Sequence, residues 1–132
     1  MTGDMQMLIA TAILAFLHSF IVLIPYIKHW GLPVAVGNRE NTPALPPWAG
    51  RALRAHRNMT ENFVHFAVFV LAANYLGLSS QLTIVGATLF FWCRLGYLVV
   101  YIAGLAWIRT ALFVGAVTGE AMIIYQLVTN IA

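Results

Sequence analysis

The sequence predicts an all-α integral membrane protein, a four-transmembrane-helix up-down bundle. Hydrophobic residues make up 61% of the 132 and charged residues only 8%, where a soluble domain carries roughly 25% charge. Mean hydropathy is +0.84. Four stretches, roughly 5–27, 48–76, 81–107 and 110–131, approach the run of about 20 mainly apolar residues that spans a bilayer. The length allows one domain, residues 1–132.

The first stretch is free of formal charge and interrupted by His18. The segment before it, "MTGDMQM", lacks a basic region and carries Asp4. The apolar run is also longer than the roughly 7–15 residues of a cleavable signal. It reads as a retained helix. The next connection, "KHWGLPVAVGNRENTPALPPWAG" (28–50), holds four of the five prolines. It reads as a loop, because proline breaks helices and removes a backbone donor. The second stretch opens on a polar segment, "RALRAHRNMTENF", and continues into the apolar "VHFAVFVLAANYLGL". The third carries Arg94 in its interior and the fourth carries Glu120. Short turns are expected at Gly77–Ser80 and at Ile108–Arg109, which makes neighbouring stretches antiparallel. "GAVTG" (115–119) is a small-xxx-small pattern that permits close helix approach. Glycines merely tolerated in a membrane helix explain it equally well.

Lys28, Arg39, Arg51, Arg54 and Arg57 gather at the first loop, and Arg109 at the third. The second loop and both ends have no Lys or Arg. Loops one and three are therefore expected in the cytoplasm, with both termini on the opposite side. Trp30, Trp48 and Trp107 suit that interface. The net charge of +3 is too small and scattered for nucleic acid. Cys93 is the one cysteine, which excludes an internal disulfide, and it reads as a packed residue. His29 reads as interfacial. Asn58-Met59-Thr60 matches a glycosylation sequon, read as a chance match at a cytoplasmic edge.

Ionisable groups in a bilayer need partners or water. On a helical wheel Arg51, Arg54, Asn58, Glu61, Asn62 and His65 fall within about a 100° arc, while His56 and Arg57 point elsewhere. Arg94, Tyr97 and Tyr101 share a face of the third stretch. A hairpin folded about Ser79–Ser80 brings Tyr101 level with Asn58, Tyr97 with Asn62 and Arg94 with His65. Glu61 then lies roughly 6 Å from the level of Arg94, within a side chain's reach. A Glu61–Arg94 ion pair that only locks the bundle would leave Arg54, Arg57, Asn58, Asn62, Tyr97, Tyr101 and Arg109 without a task. A surplus of cationic donors beside one carboxylate points to an anionic ligand. Three arrangements are open for Glu120: a pair with His18, contact with the Arg94 region, or a lone protonated carboxyl.

"RALRAHRNMTENF", followed by "RLGYLVVY" and "IRT", resembles the MAPEG family, membrane-associated proteins in eicosanoid and glutathione metabolism. The order, spacing and four-helix plan cover nearly the whole chain. The resemblance implies a homotrimer with glutathione as co-substrate between subunits near the cytoplasmic helix ends, and no metal. It places Arg54, Asn58, Glu61, Tyr97 and Tyr101 on the ligand. Arg94 takes a structural or ligand-contacting position, and Arg109 the position of thiolate activation. Thr110 stands where some members have serine. His56 and Arg57 match only some members. Gly50, Asn62 and Phe113 depart from residues common in the family, which bears on substrate and glutathione affinity.

Glutathione needs cations for its carboxylates, an anion for its ammonium and stabilisation for its thiolate. Arg54, Arg57 and Arg94 can supply the first, Glu61 the second, and Arg109, Thr110 and Tyr101 the third. A nearby arginine lowers a thiol's pKa from about 8.5, and the thiolate is the nucleophile. Asn58, Asn62, Tyr97 and His56 complete the expected glutathione-binding set. The expected chemistry is thiol transfer to a hydrophobic electrophile, or reduction of a lipid hydroperoxide, at a site where membrane-dissolved substrate meets cytosolic thiol. The competing readings are a small four-helix multidrug exporter, disfavoured because its key glutamate belongs on the first helix, and a non-catalytic membrane scaffold.

Overall fold

The computed structural model describes residues 1–131 and contains, among them, five helices: α1 (Gly3–Trp30), α2 (Leu32–Val36), α3 (Pro47–Tyr75), α4 (Gln81–Ala103) and α5 (Ala106–Ile131). Four are long, as expected. The short α2 is an addition inside the first loop, whose remainder packs back on the bundle. There Trp30 Nε1 donates to the Pro43 carbonyl at 3.0 Å, and the Arg39 guanidinium lies over the Tyr26 ring.

Three of the helices, α1, α4 and α5, are long and apolar enough to cross a membrane. That makes the chain an integral membrane protein. The fourth long helix, α3, is less apolar than these three. α3 is 29 residues long, but Arg51, Arg54, Arg57, Asn58 and Glu61 make its first half polar.

Each helix end has a local cause. Pro47 starts α3 at a position where its missing N–H is no loss. At the other end Leu78 N donates to Ala73 O (2.8 Å) and Gly77 N to Asn74 O (3.1 Å). This pair of bonds is the Schellman closure, with Gly77 at φ +69°. Ser80 and Thr83 exchange side-chain and backbone bonds and begin α4. α4 ends at Ala103, not near 107, because Gly104 takes φ +84° and its N–H reaches Val100 O at 3.0 Å. The tight turn therefore falls at Gly104–Leu105. Ile108 and Arg109 lie in the first turn of α5 instead of between helices. Pro25 sits inside α1, an interruption that the sequence reading passed over.

α3 and α4 form the centre. α1 packs on both, α5 packs on both, and α1 and α5 do not meet. The α3–α4 turn is centred near Leu78, one residue and more before the expected pivot. The register shifts accordingly: Phe66 stacks on Phe90 at 3.9 Å between centroids. Arg54, not Asn58, meets Tyr101.

α4 and α5 touch backbone to backbone. A Cβ on Gly86 would stand 2.6 Å from the Gly119 carbonyl oxygen, and one on Gly115 would stand 2.7 Å from Cys93 Sγ. Both glycines of "GAVTG" thus have a packing role, and Cys93 is a packed side chain. Asp4, fully buried, ties the other end together. Its Oδ2 accepts from Ser79 Oγ at 2.9 Å and Thr83 Oγ1 at 2.7 Å. Thr2 Oγ1 donates to Asn74 Oδ1 beside it.

Candidate functional site

The candidate site lies at the opposite end, where α3 begins, α4 ends and α5 begins. Tyr101 is its pivot. Arg54 Nε on α3 donates to Tyr101 Oη at 3.2 Å. The Arg109 guanidinium on α5 lies 4.7 Å from the Tyr101 ring centroid. Tyr97, one turn earlier on α4, meets Tyr101 edge-on at 5.3 Å. Two cations from two helices thus converge on one phenol. Cation–π attraction of this kind is worth about 0.5–2 kcal/mol, which offsets part of the repulsion between them. Arg51 is held apart from this pair: its Nε donates to the Ile102 carbonyl at 3.0 Å, covering a free carbonyl at the α4 C-terminus.

Arg94 is the deepest cation. It is 1% exposed, and Nη1 donates to Asn58 Oδ1 at 2.6 Å. Its guanidinium lies between the rings of Phe90, Tyr97 and Phe113, at 5.1, 5.7 and 5.5 Å. The alternative weighed from the sequence, an ion pair of Arg94 with Glu61, is absent among the described residues. Glu61 is exposed on the outer side of α3, because the stripe read on the wheel splits. Asn58 turns inward to Arg94 and Arg54 reaches Tyr101, while Glu61 turns out. Phe90 and Phe113 were not expected near Arg94; aromatic residues near the level of a buried arginine were the available signal.

The other expected residues are less committed. Asn62 Nδ2 donates within its own helix to Asn58 O at 2.7 Å, and Thr110 Oγ1 to Ala106 O at 3.1 Å. Arg57 is exposed. His56 faces away from Tyr101 towards α1, where its ring lies 6.3 Å from that of His18. Glu120 pairs with neither His18 nor Arg94. It accepts from, or shares a proton with, His65 Nδ1 at 3.2 Å. That is the one carboxylate–base pair among the described residues, so Arg51, Arg54, Arg57, Arg94 and Arg109 have no carboxylate partner there. Such an arrangement can bind an anion and favour the ionised form of a weak acid brought beside Tyr101.

The MAPEG family model matches residues 6–129, nearly the whole chain. No curated protein matches it.

Proposed function

The chain belongs to the MAPEG family, and on that premise we propose that it is a membrane-bound, glutathione-dependent transferase or peroxidase acting on hydrophobic electrophiles or lipid hydroperoxides. The observation that carries this reading is the convergence of Arg54 and Arg109 on Tyr101, in a cluster of cations with no carboxylate partner. An anionic thiol peptide supplies the missing charge.

In this reading Arg54, Arg57 and Arg94 bind the carboxylates and Glu61 takes the ammonium. Asn58, Asn62 and Tyr97 shape the pocket. The thiol lies near Arg109, Tyr101 and Thr110, gives its proton to water and attacks as the thiolate. With an electrophilic carbon, a C–S bond forms as the leaving group departs. With a hydroperoxide, the thiolate takes the distal oxygen and the alkoxide leaves as the alcohol. A second glutathione then displaces hydroxide from the sulfenic acid, giving the disulfide and water.

The exposure of Arg57 and Glu61 on one chain supports a homotrimer in which a neighbouring subunit closes the site. α3 is then the fourth span, its polar half shielded by protein. In this reading the site end faces the cytoplasm, where glutathione is available. Steady-state kinetics with a chromogenic electrophile test the roles. Arg109→Ala should lower turnover more than glutathione binding, and unchanged turnover would remove it from the chemistry.

A further inference from the structure

His18 is 1% exposed, in the middle of α1. Among the described residues, neither of its ring nitrogens has a hydrogen-bond partner, and neither does the buried Nδ1 of His56 across from it on α3. The rings stand 6.3 Å apart at 41°. This is too far for a direct bond between nitrogens, which needs about 3 Å. Two further buried nitrogens without partners, Nε and Nη2, belong to Arg94 on α4. Asn58, which holds the same guanidinium through Nη1, lies two residues beyond His56. On the α1 side, Leu14 and Leu17 line a groove with Phe91 and Leu95, which sets His18 near the depth of Arg94.

Five partnerless nitrogens gathered on three adjacent helices call for a shared partner. A neutral imidazole offers one donor and one acceptor, a guanidinium only donors. The group that answers both is a small molecule that donates and accepts at once. We propose that His18, His56 and Arg94 line an internal hydrated pocket, and that its ordered water links α1 to the arginine of the candidate site. His18 is then a positioning residue for Arg94. Transition-metal binding is the weaker fit, since no acidic or thiol ligand joins the two imidazoles among the described residues.

Removing one member of a satisfied network strands the others, whereas replacing a dry, unpaired histidine by a hydrocarbon relieves it. The two cases have opposite signs. In thermal unfolding of the full chain in nanodiscs, His18→Leu should lower the midpoint by about 4 °C and His18→Gln, which keeps a donor and an acceptor, by less. His18→Leu and His56→Leu together should cost less than the two losses added. A raised midpoint in His18→Leu, or strict additivity, overturns the pocket. If His18→Leu does not fold, the wild-type density map decides: water between the rings supports the proposal, and a dry gap or a bound metal ion overturns it. The positioning role rests on the thiol reading. Glutathione affinity should fall about fivefold in His18→Leu, the equivalent of one hydrogen bond, and recover in His18→Gln. A wild-type chain that binds no glutathione fails the thiol reading, and the unfolding cycle still decides the pocket.

Discussion

Arg94 shows how far a single side chain can be read. A charged group in an apolar segment signals a partner, and Asn58 on the neighbouring helix is that partner. The sequence also offered Glu61, at a compatible depth but on the wrong side of α3. Depth follows from counting residues; facing depends on how each helix rotates against its neighbours, which a polar stripe about 100° wide leaves open. Asn58→Ala removes the sole protein acceptor found for the buried guanidinium and should destabilise the chain by about 1–3 kcal/mol, measured by denaturant titration in mixed micelles. Glu61→Gln should spare the fold and touch the site. It makes no bond within the chain, so its thermal midpoint should match wild type while glutathione binding weakens; a lowered midpoint with unchanged binding would place Glu61 in the fold and not the site.

At the scale of elements, the helix ends were legible where glycine or a capping residue marks them. Gly77 and Ser80 bound the α3–α4 turn as expected. The α4–α5 turn was misplaced by about four residues because "GLAWIRT" was read as helix through Trp107, although Gly104 is the residue able to adopt φ +84°. "GAVTG" had two equal readings, and the approach of Gly119 to Gly86 decides for packing. Gly119→Val should separate α4 from α5 and cost at least about 1–3 kcal/mol. The exposed Val117→Leu two residues away should be neutral, and equal loss in both would argue against a local clash. The Asp4 clamp went unread, since an acidic residue near the start of the chain looked only like a missing basic one. Asp4→Ala removes the shared acceptor of Ser79 and Thr83, and hydrogen exchange should show faster opening of the α3–α4 turn while exchange around Tyr101 stays unchanged.

For the whole molecule, composition alone identified a helical membrane protein, and the motifs on α3, α4 and α5 identified its family. The polarity of α3 was visible, and its length was the argument for a span. Its outward Arg57 and Glu61 are accounted for by the neighbouring subunit of the proposed homotrimer. The account depends above all on the unpaired cations around Tyr101 being a site for an anionic thiol. Isothermal titration of glutathione into the full chain in nanodiscs tests that most directly. Wild type should release heat and saturate at or below millimolar ligand, and Arg54→Ala should weaken binding about tenfold, the loss of one charge-assisted contact. No heat from the wild-type chain at millimolar glutathione would contradict it.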